Sequence, residues 1–290
     1  MKEIVVLSGK GGTGKTSLAA AFSFLAGSDV VVADCDVDAA DMHLLLQPDF
    51  HQAHDFYSGL LAEIDRNTCT NCGRCAEVCR FDAVPFVDDH YVIEPLNCEG
   101  CGYCQRVCPE DAITMTEQKV GHWYISTTKP GSPMVHARLG IGAENSGKLV
   151  AQVKNQAKRI AEEQGKGIVL VDGSPGIGCP VVSSLSGADL VVLVTEPTVS
   201  ALHDLKRVHQ LVKRFNIRAG CVINKADLNL QVTTEIEHFL AEEKIDHFAS
   251  LPYDESFVQA MIHGQTIIEY PDGALKPIVI KAWEEIQRVL

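Results

Sequence analysis

A short apolar strand that leads directly into a glycine-rich loop and a helix constrains the fold of this chain most strongly. Residues 4–7 are Ile-Val-Val-Leu, and residues 9–16 are Gly-Lys-Gly-Gly-Thr-Gly-Lys-Thr. This order matches G-x-x-x-x-G-K-[ST], in which backbone N–H groups surround phosphate oxygens. The motif requires a buried strand before it and a helix N-terminus after it. The chain is therefore predicted to contain an α/β core with a nucleotide site.

Each residue type in this loop has a role in holding a nucleoside triphosphate. Glycine allows the backbone to approach phosphate closely, Lys15 supplies positive charge to the β and γ phosphates, and the Thr16 hydroxyl can bind Mg²⁺. The helix predicted at 15–26 adds the positive end of its dipole. The predicted nucleotide-binding residues of the loop are Gly9, Lys10, Gly11, Gly12, Thr13, Gly14, Lys15, Thr16 and Ser17.

Segments rich in Val and Ile predict the remainder of the core. Strands are expected near 2–7, 29–34, 167–172, 189–195, 217–223 and 246–251. Helices are expected near 15–26, 147–164, 180–186, 199–214, 231–244, 255–263 and 275–289. The strands lack polar–apolar alternation, which is typical of strands that are covered on both faces. The predicted fold class is α/β, a doubly wound and mostly parallel sheet.

Eight of the 11 cysteines form two copies of one spacing, Cys69-Cys72-Cys75-Cys79 and Cys98-Cys101-Cys104-Cys108. Zinc sites favour two separated pairs of ligands, and disulfide frameworks belong to small secreted chains. The repeated triplet with a remote fourth cysteine instead favours two [4Fe–4S] clusters of the bacterial ferredoxin type, in which the fourth cysteine binds the other cluster. The predicted ligand sets are Cys69, Cys72, Cys75 and Cys108 for the first cluster, and Cys98, Cys101, Cys104 and Cys79 for the second.

The second copy ends in Cys108-Pro109, the usual bacterial pattern, whereas the first has Arg80 after Cys79. Each copy is followed by an Asp-Ala pair, Asp82-Ala83 and Asp111-Ala112, as expected of a duplicated unit. We predict an inserted small α+β ferredoxin-like domain at 64–117, held together by its clusters, between the two parts of a P-loop ATPase domain at 1–63 and 118–290. Residues 118–146 are expected to form a short β excursion.

Acidic residues follow two predicted strands. The second strand ends in Asp34, and Asp36 and Asp38 come shortly after it. Ile168–Asp172 is an apolar strand with a terminal aspartate, the Walker B pattern in which the carboxylate contacts Mg²⁺ through water. The run at 173–178 is glycine-rich and predicts a mobile switch that senses the γ-phosphate.

The run Lys10–Thr16 resembles the deviant Walker A motif of the MinD, ParA, Mrp and nitrogenase iron protein superfamily. The whole chain resembles the MinD-like P-loop ATPases that carry an inserted two-cluster ferredoxin domain. Further segments support this resemblance: Leu44–Leu46, Pro133–Leu139, Glu144–Leu149 and Asp172–Pro180.

The resemblance implies roles for individual residues. Lys10 would reach across a dimer to the partner's nucleotide, and Asp36 would orient the attacking water and contribute to the Mg²⁺ shell. Asn224 would contact adenine, and the loop that contains Pro252 would close over the base. The implied catalytic residues are Lys10, Lys15 and Asp36, and the implied Mg²⁺ residues are Thr16, Asp36 and Asp172. The dimer could be a homodimer or a heterodimer with a paralogous ATPase.

The identity of the base stays open at this point. Asn224-Lys225-Ala226-Asp227 matches the N-K-x-D motif of GTP-binding proteins, whereas the deviant Walker A resemblance favours ATP. Of the remaining three cysteines, Cys35 and Cys221 are expected in the core. Cys179 could sense redox state or meet a partner across the dimer, but a small apolar thiol at a helix start is the favoured interpretation.

Charge and composition limit the partners. The formal net charge is −13, which disfavours sequence-independent nucleic-acid binding. The C-terminal segment 274–290 mixes both signs of charge on its polar positions, so a packing helix is expected rather than a membrane-targeting one. No membrane insertion and a cytoplasmic location are predicted.

Three functions are compatible with these features. The first is nucleotide-gated electron transfer from the clusters to an unidentified redox partner protein. The second is an ATP-dependent iron–sulfur cluster carrier or assembly factor, and the third is a regulatory or positioning ATPase whose clusters sense redox state. Complete four-cysteine ligation holds a cluster firmly, which favours electron transfer over delivery.

Overall fold

A computed structural model describes residues 1–140, 146–271 and 273–290. Its strands are β1 (Lys2–Leu7), β2 (Val30–Asp34), β3 (Gln52–Ile64), β4 (Phe86–Val87), β5 (His90–Tyr91), β6 (Ile113–Thr127), β7 (Pro133–Leu139), β8 (Ile168–Asp172), β9 (Leu190–Thr195), β10 (Arg218–Ile223) and β11 (Asp246–Ser250). Its helices are α1 (Lys15–Ala26), α2 (Met42–Leu46), α3 (Arg74–Val78), α4 (Tyr103–Val107), α5 (Ser146–Gln164), α6 (Cys179–Leu185), α7 (Val199–Arg214), α8 (Leu230–Glu243), α9 (Ser256–Ile262) and α10 (Lys276–Val289).

The predicted core elements are confirmed, with bounds that differ by at most one residue. Six predicted strands correspond to β1, β2 and β8–β11, and seven predicted helices correspond to α1 and α5–α10. Glu144 and Asn145, which contributed to the family resemblance, lie outside the described residues.

Sequence periodicity missed the long strands β3, β6 and β7. Most residues of β3 are exposed, and β6 mixes exposed and half-buried positions, so neither has the apolar run that marked the core strands. The expectation of a short β excursion at 118–146 was wrong in extent, because β6 begins at Ile113 and β7 is a second full strand. Helices α2, α3 and α4 have five residues each, too short for a helical period to appear in the sequence.

Seven neighbouring strands of the central sheet have the order β11-β10-β9-β1-β8-β2-β7, and each neighbouring pair among them is parallel. Val6 of β1 is opposite Asp172 of β8, and Asp172 is opposite Asp34 of β2. In a parallel sheet the carboxyl ends of neighbouring strands lie at one edge, where α/β proteins place their ligands. This register brings Asp34 and Asp172 beside the loop that follows β1.

Helices α1 and α10 cover one face of this sheet. Phe22 of α1 stacks on Trp283 of α10 with ring centroids 5.5 Å apart, and both side chains are buried. Val279, Ala282 and Ile286 complete the buried face of α10, as expected of a packing helix. Large apolar side chains contribute about 1.5–3 kcal/mol each when fully buried. No helix in the described ranges has the length and apolarity needed to cross a bilayer.

The chain divides into two units. The larger comprises residues 1–54, 123–138 and 146–290, and the smaller comprises 55–122 with the described part of 139–145. The smaller unit extends beyond the predicted 64–117 insert at both ends, because β3 and β6 continue past these limits. It also has a small apolar core of its own around Ala62, Val84 and Ile113, which the sequence interpretation did not anticipate.

Candidate functional site

The glycine-rich loop after β1 brings four predicted site residues together. Gly14 adopts a left-handed conformation (φ 94°) and begins α1, so the Lys15 side chain turns toward the ends of β8 and β2. Lys15 Nζ lies 2.7 Å from Asp172 Oδ1, 3.3 Å from Asp36 Oδ2 and 3.2 Å from Thr16 Oγ1. The loop lysine, the loop hydroxyl and two acidic residues therefore form one buried cluster.

Burial and the nearby negative charges shift the pKa of Lys15 in opposite directions. Burial disfavours its charged form, but attraction to Asp172 and Asp36 outweighs this and raises the pKa of Lys15 above its ordinary value. Burial, reinforced by the negative charge of Asp172, raises the pKa of Asp34 well above its ordinary value. Burial also raises the pKa of Asp36, against the attraction of Lys15. The single ammonium group thus lies among three carboxyl groups.

Two carboxylate oxygens in this cluster have unused binding capacity. Among the described residues, neither Asp34 Oδ2 nor Asp172 Oδ2 has a hydrogen-bond partner, although both atoms are buried. Buried polar atoms are normally paired, and Mg²⁺ prefers carboxylate, hydroxyl and phosphate oxygens. The unpaired oxygen of Asp172, together with the neighbouring Thr16 hydroxyl and Asp36 carboxylate, therefore offers oxygen donors of the kind that Mg²⁺ binds with a nucleotide.

Lys10 contacts residues of its own chain. Its Nζ lies 2.7 Å from Glu196 Oε1 and donates to Thr198 Oγ1 at 3.1 Å. The other oxygen of Glu196 lies 2.8 Å from Lys225 Nζ. Burial would raise the pKa of Glu196, but hydrogen bonds from both lysines outweigh it and lower that pKa. Glu196 follows β9 directly, so its place after a buried strand was the signal that could have identified it.

Asn224 supports the phosphate loop from the end of β10. Its Nδ2 donates to the backbone oxygen of Thr13 at 2.9 Å. A Cβ atom at Gly14 would lie 2.5 Å from Asn224 Nδ2, which explains why glycine is needed there beyond its positive φ. The backbone N–H of Tyr253 donates to Asp227 Oδ1 at 2.6 Å, so the loop containing Pro252 is tied to the turn after Asn224. Asn224 and Pro252 therefore lie on joined loops.

The glycine-rich segment after β8 is bonded to the loops on both sides. Gly176 N donates to Ser8 O at 2.9 Å, and Ser174 Oγ donates to Cys35 O at 2.9 Å. A displacement of this segment would therefore act on the phosphate loop and on the segment after β2. Cys179 begins α6, as expected, but its side chain is exposed rather than packed.

The other two structural cysteines follow the prediction. Cys35, directly after β2, and Cys221, within β10, are both fully buried. Burial raises the pKa of both thiols, which keeps them protonated and unreactive.

The eight repeated cysteines of the smaller unit line two separate cavities. The first thiol cavity is lined by Cys69, Cys72, Cys75 and Cys108. The second thiol cavity is lined by Cys79, Cys98, Cys101 and Cys104. Each cavity thus contains three cysteines of one repeat and the fourth cysteine of the other.

The Asp-Ala pair after each repeat has the same local geometry. Asp82 and Asp111 adopt left-handed conformations with φ of 51° and 49°. This turn directs Ala83 N to Cys79 Sγ at 3.4 Å and Ala112 N to Cys108 Sγ at 3.3 Å. The sequence showed the pairs as a sign of duplication, and the structure shows that they place an N–H donor at each fourth cysteine.

The thiols of the two cavities fit a metal cluster rather than a single metal ion. In the part of the chain that the structure describes, no three His, Cys, Asp or Glu side chains converge as ligands of a single metal ion. A cubane cluster binds each cysteine to a different iron, so its four sulfurs surround a larger body than one ion. Four thiols around an open cavity, with N–H donors to the sulfurs, match the donor set of a [4Fe–4S] cluster.

Comparison with known proteins identifies similar chains. The profile of the "CobQ/CobB/MinD/ParA nucleotide binding domain" matches residues 4–267. The uncharacterized protein MJ0578 of Methanocaldococcus jannaschii is 35% identical over 229 residues, which cover 78% of this chain and 79% of that protein. A second protein of the same organism, MJ0579, is 27% identical over 277 residues, with 94% and 93% coverage.

Solved structures with the same fold include MinD of Pyrococcus horikoshii in complex with Mg-ADP. That structure has a TM-score of 0.58 and 19% identity, and the match covers 99% of this chain and 96% of that chain. A ParA family ATPase from Chlorobium tepidum has a TM-score of 0.59 and 15% identity, with 98% coverage of both chains. These likenesses establish the fold of the nucleotide-binding core.

Proposed function

Since the chain belongs to the CobQ/CobB/MinD/ParA nucleotide-binding family, we propose that it is a Mg-ATP-dependent ATPase that couples nucleotide binding and hydrolysis to electron transfer through two [4Fe–4S] clusters to a partner protein. One observation carries this proposal. The eight repeated cysteines divide into two cavities of four thiols within a chain that also has the buried Lys15, Thr16, Asp36 and Asp172 cluster.

The nucleotide half of the proposal follows from the contacts of Lys15. Lys15 forms ion pairs with Asp172 and Asp36. A triphosphate competes for the ammonium group, and the released carboxylates then become available as partners of Mg²⁺ and its water shell. We assign the orientation of the attacking water to Asp36, and its greater exposure than Asp172 supports this assignment. Binding of the nucleotide therefore rearranges the charges of this cluster.

Hydrogen bonds connect this cluster to the rest of the nucleotide site. Ser174 and Gly176 join the segment after β8 to Cys35 and Ser8. A shift of the Asp172 carboxylate at the end of β8 acts on that segment directly. The segment is thus suited to report the state of the γ-phosphate to a docking partner.

We assign ATP rather than GTP to the base site. In an N-K-x-D motif that recognises guanine, the aspartate accepts hydrogen bonds from the base. Here Asp227 Oδ1 accepts the backbone N–H of Tyr253 instead, and Asn224 is held against Thr13. Asp227 therefore positions the loop that contains Pro252.

The two thiol cavities are the proposed cluster sites. The first would hold its cluster by Cys69, Cys72, Cys75 and Cys108, and the second by Cys98, Cys101, Cys104 and Cys79. When bound, such clusters supply one-electron redox chemistry at potentials set by the surrounding protein. Cys75 is buried and Cys104 is half-buried, and this burial raises the pKa of both thiols, so cluster binding has to displace their protons.

The proposal includes a nucleotide-dependent dimer, either of two copies or with a paralogous ATPase. Lys10 is bonded within its own chain to Glu196 and Thr198, and its side chain is partly exposed. It would exchange these contacts for the partner's nucleotide. One organism contains two relatives of this chain, MJ0578 and MJ0579, so a pair of paralogues is available to such a dimer there.

An ATP-dependent cluster carrier is the alternative function, favoured by the exposure of Cys72 and Cys101. A redox-sensing regulatory ATPase is the third. We retain electron transfer as the first choice because each cavity offers four thiols, with N–H donors to sulfurs in both. Full ligation and these bonds stabilise a resident cluster.

The test uses anaerobically purified full-length protein. We expect iron and acid-labile sulfide for two clusters per chain, and a shift of cluster potential when Mg-ATP is added. Lys15→Ala should retain the iron but lose the shift. Cys101→Ser should lose about half of the visible cluster absorbance. Absence of iron and sulfide would overturn the cluster assignment, and ATP-dependent transfer of clusters to an apo-ferredoxin would favour the carrier function.

A further inference from the structure

The two thiol cavities come from duplicated segments, yet their surroundings differ. Superposing the repeats by their cysteine spacing places Asn71 opposite Gly100 and Arg74 opposite Tyr103. The duplication supplies an internal comparison, since the ligands are identical and only the neighbouring groups change. Cluster potential depends on hydrogen bonds to sulfur, on nearby charge and on exposure. Each of these can be compared between the cavities.

The two cavities differ first in the hydrogen bonds that their cysteine sulfurs accept. Within the described part of the chain, Cys69 Sγ in the first thiol cavity accepts Asn71 N at 3.4 Å, and Cys108 Sγ accepts Ala112 N at 3.3 Å. In the second thiol cavity, the corresponding bond is Ala83 N to Cys79 Sγ at 3.4 Å. Asn71 donates this extra bond because it adopts a left-handed conformation, φ 57°, which is anchored by Asn71 Nδ2 on Asp89 O.

The charged residues around the two cavities differ as well. The first thiol cavity is lined by Arg74 and Glu110, which carry opposite charges. The second is lined by the anion of Glu99 without a cationic side chain among the described residues. A negative charge near a cluster disfavours addition of a further negative charge.

We infer that the two cavities hold clusters of unequal potential, with the first thiol cavity as the more easily reduced site and Arg74 as a residue that sets the difference. This inference rests on the proposed function. Reduction adds an electron to a centre already carrying four thiolates, and the N–H donors and Arg74 stabilise that added charge. An electron shared by the two sites therefore resides mainly in the first cavity, and the second cavity holds the stronger reductant.

The test is an anaerobic redox titration of the full-length protein, followed by electron paramagnetic resonance. We expect two resolved one-electron steps whose reduced-to-oxidised ratios differ by at least about tenfold at one potential, which corresponds to about 59 mV. Cys72→Ser should alter the step at higher potential, and Cys101→Ser the step at lower potential. This pair of variants assigns each step to a cavity.

Variants that remove one charged side chain test whether charge causes the difference in potential. Arg74→Gln should lower the potential of the higher step only, by an amount that changes its reduced-to-oxidised ratio about three- to tenfold. Glu99→Gln should raise the potential of the lower step only. Arg106→Gln is the matched control, because it removes an exposed arginine of the same unit that lines neither cavity. It should leave both steps in place.

The outcomes separate this inference from the proposed function. Protein without iron and sulfide would remove both. Protein with two clusters that titrate as a single step, or an Arg74→Gln effect equal to that of Arg106→Gln, would overturn the inequality and leave the cluster assignment intact. A lower potential in the first cavity would also contradict it.

Discussion

Lys15 Nζ and Asp172 Oδ1 form an ion pair at 2.7 Å, with side chains that are 6% and 1% exposed. The pair joins the phosphate loop to the carboxyl end of β8. Buried charges are costly unless they are paired, and this pair compensates the charge of Asp172. The ammonium group proposed to bind the triphosphate therefore also stabilises the fold.

Replacement of Lys15 should affect both stability and binding. Lys15→Ala leaves Asp172 and Asp36 without their cation, so we expect a loss of roughly 3–5 kcal/mol in the free energy of unfolding and loss of detectable ATP binding. Denaturant unfolding and fluorescent-nucleotide titration measure the two effects. Lys2→Ala breaks the exposed pair with Asp189 and should cost no more than about 1 kcal/mol. Equal costs for the two variants would contradict the role of burial.

Lys10 should matter for turnover more than for binding. Lys10→Ala removes contacts to Glu196 and Thr198 that do not involve the phosphate loop backbone. ATP affinity should stay within about threefold, whereas hydrolysis should fall by at least about tenfold, or about 1.4 kcal/mol in the activation barrier. Steady-state hydrolysis and sedimentation with ATP are the measurements. Unchanged turnover and unchanged association would exclude a role for Lys10 across a dimer.

Asn224 should influence nucleotide affinity through the loop it supports. Asn224→Ala removes the hydrogen bond to Thr13 O, worth about 1 kcal/mol, so ATP should bind about fivefold more weakly. Asn229→Ala is the matched control. It removes the N-cap of α8, where Asn229 Oδ1 accepts Val232 N, and should cost about 1 kcal/mol of stability without changing ATP affinity.

Two glycines of the second repeat should differ in their tolerance of alanine. Both have positive φ, 61° at Gly100 and 71° at Gly102. A Cβ at Gly100 would lie 2.1 Å from the backbone oxygen of Leu60, whereas a Cβ at Gly102 meets no heavy atom within 4 Å. Gly100→Ala should therefore lower iron content strongly, and Gly102→Ala should cost only about 1–2 kcal/mol of backbone strain. Similar iron content in both variants would argue against a rigid second thiol cavity.

His136 should make the stability of the larger unit depend on pH. Burial, and then the charge of His43, lowers the pKa of His136 from 6.5 to about 4, against the opposing effect of Asp49. The folded state then binds fewer protons than the unfolded state between these values, so stability falls as the pH decreases from 6.5 to 4. The full effect is on the order of 3 kcal/mol.

His136→Gln removes the titrating group and should flatten this dependence, even if it lowers stability at neutral pH through the contact with Ser126. Urea unfolding at pH 7.5 and pH 5 measures the difference. An unchanged pH dependence in His136→Gln would show that other groups cause it.

Local sequence determined the nucleotide-binding core in detail. The strand before Gly9, the helix after Gly14 and the apolar run before Asp172 each have a pattern that is complete within a few residues. Their bounds were therefore predictable to within one residue. The bounds of the smaller unit and the lengths of β3 and β6 were not, because these two strands lack the continuous apolar run that marked the core strands.

The amino-acid sequence alone determined the ligand types, namely a phosphate loop, two acidic strand ends and eight repeated cysteines. Only the tertiary structure decided which side chains meet. It joined Lys15 to Asp172 across the parallel register of β1 and β8, Lys10 and Lys225 to Glu196, and Asn224 to Thr13. It also gave the two repeats different surroundings. Spacing along a chain specifies residue types and local turns, whereas contacts between distant residues depend on strand order and packing, which no local pattern contains.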